Sequence, residues 1–196
     1  MSAFCTQADI ENLLQTDLTG HEAAVTAAIA QASAYIQAYT DQVLEEVDDD
    51  EVAFDGPAHD RRLFLPELPV TAVGEVVEDD EVLTVDDDYK LGAHGILWRI
   101  DAYWASGIQN IAVTYTHGYA TIPEDIAAVC ARVAARIYQA GAKAAQNGAI
   151  AGVQATSLGD YSVTYVTGAD ESVQGVTAAP PLLPNEMALL DRYALR

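Results

Sequence analysis

Residues 111–126 read Ile-Ala-Val-Thr-Tyr-Thr-His-Gly-Tyr-Ala-Thr-Ile-Pro-Glu-Asp-Ile. Apolar Ile111, Val113 and Tyr115 alternate with Ala112, Thr114 and Thr116, the period-2 pattern of a half-buried strand. Gly118 marks a turn. Thr121 can cap a helix, Pro123 falls near its first turn, and Glu124 and Asp125 suit its positive end. That helix is expected to run to about residue 145, on a seam of Ile126, Cys130, Val133, Ile137, Ala140 and Ala144 that steps by four and three. The stretch holds no nucleophile, metal box or phosphate loop.

Upstream, residues 63–73 read Leu-Phe-Leu-Pro-Glu-Leu-Pro-Val-Thr-Ala-Val, where Pro66 and Pro69 suit a sheet edge or the start of a strand. Short antiparallel strands are expected over 70–77, 82–85, 89–91 and 95–100. Between apolar segments fall the runs Asp48-Asp49-Asp50-Glu51, Glu78-Asp79-Asp80-Glu81 and Asp86-Asp87-Asp88, which read as acidic turns. Residues 45–88 carry 17 acids and only two bases, Arg61 and Arg62.

Towards the N-terminus, Thr6 begins a short helix reaching about Gln15. Thr19-Gly20-His21-Glu22 fits a capping box that opens a long helix to about Glu46, with Val25, Ile29, Ala32, Ile36, Tyr39 and Val43 as its seam. The matching seams predict that the two long helices pack together with the β segment inserted between them. Beyond Gly148, Tyr161, Val163 and Tyr165 point to a strand or hairpin after Gly159-Asp160. Residues 168–179 are a linker by composition. Pro180-Pro181-Leu182-Leu183-Pro184 then leads into a short helix over 185–196. The fold class expected is α+β, mainly a helical bundle with an inserted small antiparallel β segment and a C-terminal extension. Residues 1–46 and 123–147 form the helical core, 47–122 the acidic insertion, and 148–196 the hairpin, linker and terminal helix.

The chain has 196 residues, 51% of them hydrophobic, which is enough for a sizeable core. No apolar run approaches the ~20 residues of a membrane span. The start, Met1-Ser2-Ala3-Phe4, has neither a basic region nor an apolar signal core, so synthesis and assembly in the cytoplasm are expected. Cys5 and Cys130 make no disulfide framework, and Cys130 reads as a small core residue. The net charge of −21, from 30 acids against 9 bases, repels nucleic-acid phosphate. A high-salt host and a DNA conduit with a non-gripping wall both account for it; the spread of acids along the chain favours the first.

Chemistry is hard to find. Asp86-Asp87-Asp88 lacks the alternating ligands and glycine bend of a calcium loop. His21, His59, His94 and His117 are scattered, without ligand spacing on one helix face. Ser106 and Ser157 lack the strand–elbow–helix context of a hydrolase nucleophile, and Gly92-Ala93-His94-Gly95 is a turn. Arg132, Arg136 and Lys143 are more informative, because at ~100° per residue they share a ~40° arc beside the apolar seam. A solvated flank is one reading; contact with an acidic neighbouring copy is the other, making these three the candidate subunit interface. Leu182, Leu183, Met187, Leu189 and Leu190 form an apolar group at the end of the chain, the candidate docking segment for a neighbouring subunit, or else a tail that folds back on its own core.

Several motifs in order resemble the head–tail connector (adaptor, head-completion) proteins of tailed viruses: Ala8-Asp9-Ile10-Glu11, Tyr35-Ile36-Gln37-Ala38-Tyr39, Leu-Pro-Val-Thr-Ala-Val at 68–73, and Asp88-Tyr89-Lys90-Leu91. Gly95-Ile96-Leu97, Trp104, Val-Thr-Tyr-Thr-His-Gly-Tyr at 113–119, Pro123-Glu124-Asp125-Ile126 and Leu189-Leu190-Asp191-Arg192-Tyr193 complete the order. The resemblance implies a structural virion protein at the neck, assembled in the host cytoplasm. It implies a homo-oligomeric ring, commonly of twelve copies, between the portal protein and the next neck or tail protein. The ring would extend the DNA channel, passing viral DNA without specific binding, with no enzyme activity, no cofactor, no metal and no membrane. The acidity of the β segment departs from the family's pattern. The alternatives are an acidic halophilic enzyme or ligand-binding domain, with a pocket near His117 and Trp104, and a tail stopper or completion protein of the same particle.

The charge pattern makes one prediction. Crowded carboxylates repel less when screened, so the melting temperature should rise from low to molar salt. A flat or falling series in thermal melts counts against a high-salt origin.

Overall fold

The computed structural model describes residues 3–146, 155–158, 161–164 and 182–194. The expected linker at 168–179 and Pro180-Pro181 lie outside them. The chain divides into two compact units. Met1–Thr40 and Glu124–Tyr193 make one, and Asp41–Pro123 form the greater part of the other.

The first unit is helical. Helix α1 (Gln7–Leu14) starts at Thr6, whose hydroxyl caps the Asp9 amide while the Asp9 carboxylate accepts from the Thr6 amide. Helix α2 (Glu22–Thr40) buries Val25, Ala28, Ile29, Ala32, Ser33 and Ile36. The capping box expected at Thr19 does not form: the Thr19 hydroxyl turns to Asp17, and Glu22 accepts from the Gly20 amide. Helix α3 (Glu124–Gln146) packs on both α1 and α2, burying Ile126, Val129, Cys130, Val133 and Ala134. Its seam fades towards the C-terminal end, where Ala140 is exposed. Helix α4 (Pro184–Leu190) packs on α2 and α3. No helix among the described residues is long and apolar enough to cross a membrane.

The second unit is two antiparallel sheets sharing one core. The strands are β1 (Val47–Gly56), β2 (Arg62–Phe64), β3 (Val70–Glu78), β4 (Glu81–Val82), β5 (Tyr89–Leu91), β6 (Ile96–Arg99) and β7 (Gly107–His117). One sheet has the order β1-β7-β3-β4, the other β2-β6-β5. Val76, Ile111, Val113 and Tyr115 from the first meet Leu63, Tyr89 and Leu97 from the second, with Trp104 and Leu65 completing the cluster. Two further strands, β8 (Ala155–Leu158) and β9 (Tyr161–Thr164), pair as a hairpin.

Nine strands stand beside four α-helices among the described residues, so the expectation of a mainly helical bundle is corrected: the fold is α+β with a substantial antiparallel component. The acid run at 48–51 hid the largest omission. It lies inside β1, not in a turn. As an edge strand, β1 can carry carboxylates on its solvent side while Val52 and Phe54 pack against the core. Asp49 has φ 52°, and the register shifts between Val47 and Asp50, so the alternation that would reveal a strand is interrupted there. The run at 78–81 does turn: Glu78 pairs with Glu81 across Asp79 and Asp80, both at positive φ, as a two-residue hairpin requires. Helix α2 is also shorter than expected, ending at Thr40 before Asp41 at φ 53°, which takes Val43 off the helix.

Gly118 closes the β unit. Its φ is +87°, and its amide donates to the Pro69 carbonyl, while Tyr119 donates to the Leu44 carbonyl and accepts from Glu46. A Cβ there would fall inside the Glu45 carbonyl. Gly118→Ala should therefore cost about 3 kcal/mol or more, from left-handed strain plus backbone displacement. A thermal melt with unchanged midpoint would contradict this reading.

Candidate functional site

The three bases of α3 do not act alike. Arg136 grips Glu186 of α4 with two bonds, Nη1 to Oε1 at 2.8 Å and Nη2 to Oε2 at 2.6 Å. Arg132 approaches the same carboxylate, Nε to Oε1 at 3.6 Å. The Glu186 side chain is 1% exposed, and it also accepts from the Leu183 amide at 2.9 Å, closing the first turn of α4. Burial pushes this carboxyl up; the Arg136 bonds, the Leu183 amide and both guanidinium charges outweigh it and hold the group below its ordinary range. Lys143, a helix turn or more further on, is exposed and not part of the cluster.

The terminal segment is anchored by the same unit at several points. Leu182 and Leu190 are buried; Leu183, Met187 and Leu189 are half-buried. The Tyr39 hydroxyl donates to Asp191 at 2.6 Å, and the Tyr193 hydroxyl donates to Asp125 at 2.7 Å. Arg192 pairs with Asp125 at 3.0 Å. In this chain the apolar group at 182–190 thus serves its own core at two of its five positions, and three retain exposed surface. The pairing of Glu186 with a base fifty residues earlier leaves no periodic signal; the readable clue was a glutamate in the first turn after Pro184.

The residues suspected of forming a pocket are interior. Trp104 is buried in the β core, its Nε1 donating to the Arg61 carbonyl at 3.0 Å. His117 is the last residue of β7, buried against Tyr115 with Nε2 3.3 Å from Asp50. Burial, with the Asp50 charge beside it, pushes the Tyr115 phenol up to about 12. A buried ion pair escaped the sequence altogether. Arg99 reaches Glu78 at 2.8 Å, and Glu78 also accepts from the Ala105 amide at 2.7 Å. Among the described residues, no group of three or more His, Cys, Asp or Glu side chains is placed to hold a metal ion.

Among the described residues, one groove runs between α1 and α3 and another between α2 and α3, with alanines in both linings. The sequence profile of the head completion protein family matches residues 3–140. The chain belongs to that family, and its role is structural, in the head–tail assembly of a virion. No curated protein sequence matches it. Among solved structures it is similar to a chain in the neck of a native gene transfer agent particle computed with C12 symmetry, at 16% identity over 89% of this chain and 84% of that chain, TM-score 0.46. It is also similar to a chain in the neck of an empty such particle computed with C6 symmetry, at 17% identity over 89% and 79%, TM-score 0.49.

Glu186→Gln keeps the shape of the cluster and removes its charge. Because both arginines remain partly solvated, the loss should be about 3 kcal/mol, the low end for a broken buried pair. Since the folded carboxyl titrates below its ordinary 4.5, this contribution should be complete above that pH and fade as pH falls through the lowered value. Acid titration of both proteins should show the gap in melting temperature closing in that window and nowhere above it.

Proposed function

We propose that this protein forms a homo-oligomeric ring, of twelve copies, in the neck of a tailed virion. There it joins the portal to the next neck or tail protein and extends the DNA channel. Membership of the head completion family over residues 3–140 is the observation that carries this reading. The charge of −21 supports it independently, since a wall of like sign lets the polymer pass without gripping it. The role needs no catalytic step and no cofactor. A high-salt host would supply the screening that so acidic a ring requires.

Subunit contact runs through α3 in this reading, but its bases divide the work. Arg132 and Arg136 hold α4 in place, so reversing them both would bring extra carboxylates against buried Glu186 and release the terminal helix. Lys143, exposed further along α3, is the base available to meet an acidic neighbour. Leu183, Met187 and Leu189 offer the apolar part of the docking surface. The helical unit, Met1–Thr40 with Glu124–Tyr193, makes the body of the ring in this reading.

Mass measurement at high protein concentration, alone and on mixing with portal, tests the proposal. Ring-sized assemblies are expected, and Lys143→Glu should weaken them while leaving the melting temperature within about 1 °C, as for most exposed substitutions. A protein that stays monomeric and also fails to join portal rings overturns it.

A further inference from the structure

The two cysteines stand 125 positions apart and yet touch: Cys5 Sγ lies 3.2 Å from Cys130 Sγ, both as free thiols and both buried. Nothing in the structural role described above uses them. Their neighbours hold the contact in place. The Phe4 amide donates to Ser33 Oγ of α2 at 3.2 Å, and the same Oγ lies 3.6 Å from Cys130 Sγ on α3. The segment before α1 is thereby tied to both long helices at the point where the sulfurs meet.

We infer that Cys5 and Cys130 form a latent disulfide, a modification site that an external small-molecule disulfide converts into a covalent staple between the N-terminal segment and α3. Cys5 is 5% exposed and Cys130 fully buried, so Cys5 is the sulfur a reagent reaches first when the contact opens locally. Its thiolate attacks one sulfur of the reagent, forming a mixed disulfide and expelling one thiol. Cys130 then attacks the Cys5 sulfur of that mixed disulfide and expels the second thiol. Two electrons pass from the cysteine pair to the reagent, and the two cysteine protons end on the released thiols. Cys130 is suited to the second step: its sulfur already lies against that of Cys5, and the Ser33 hydroxyl and the Phe4 and Cys5 amides are placed to stabilise a thiolate there.

The consequence is directional. Inside a reducing cytoplasm the pair stays as thiols, and the N-terminal segment can adjust while copies assemble; outside the cell the pair closes and fixes it. That timing rests on the particle reading above, whereas the chemistry is a property of the single chain. A link across so long a loop restricts the unfolded chain strongly.

Oxidised glutathione is the probe. The purified full-length chain, incubated with it at neutral pH, should lose two hydrogens, about 2 Da by intact mass, with Cys5 and Cys130 joined in one cross-linked peptide. The melting temperature should rise by roughly 5–10 °C and return on reduction with dithiothreitol. Cys5→Ser and Cys130→Ser should each abolish the mass change and the reversible rise. Thiols that stay unreacted after prolonged exposure, a stable glutathione adduct on Cys5, or a disulfide between two chains would each overturn the inference. Because the readout is the mass of one chain, a failed ring assembly does not affect it.

Discussion

Strand β7 is the element on which the β unit depends. It is an inner strand of the four-stranded sheet, paired with β1 on one side and β3 on the other. Its inward residues Ile111, Val113, Tyr115 and His117 are all essentially inaccessible to solvent. A strand in that position has no freedom of register, because a slip of one residue would turn this apolar row outward. The flanking strands inherit that constraint: Val52 and Phe54 of β1 and Val76 of β3 face the core because β7 fixes which way they point. At its end, Gly118 and Tyr119 tie the strand to Pro69, Leu44 and Glu46, so the same strand also sets how the unit closes.

Scarcity of cations is the second constraint. With 9 bases to 30 acids, a carboxylate drawn inside the protein needs one of a small supply of partners. Among the described residues two glutamates are buried, and each has an arginine: Glu78 pairs with Arg99 and Glu186 with Arg136 and Arg132. Arg99 also meets Asp88 at 3.4 Å and lies over the Trp104 ring, binding the acidic turn to the β core. The remaining acids are mostly at the surface or in turns, where water and salt screen them. A chain built this way keeps a strongly negative exterior while these two buried carboxylates are each met by arginine.

The cysteines and the terminal helix share a feature. Both connect positions far apart in the chain within the helical unit, Cys5 with Cys130 and Glu186 with Arg136. Residues that read separately as a small core thiol, a basic stripe and an apolar tail become one set of tethers around α3. The stripe of Arg132, Arg136 and Lys143 is thus divided: two bases hold the chain's own terminal helix, and one faces solvent.

Local physics determined much of this protein from its sequence. The alternation at 111–116 is β7, the Pro123-Glu124-Asp125 opening and the four–three seam are α3, and Thr6 caps α1, because periodicity and capping are set by neighbours within a turn or two. The ordered motifs along the chain pointed to the head completion family, and through it to a structural role. Tertiary structure alone decided what distant residues do to one another. The Asp48–Glu51 run gained a strand because β7 offered it an edge, against its own poor β propensity. Glu186 became an internal ion-pair partner and Cys5 a neighbour of Cys130, since chain separation carries no periodic signal and only packing brings such side chains together.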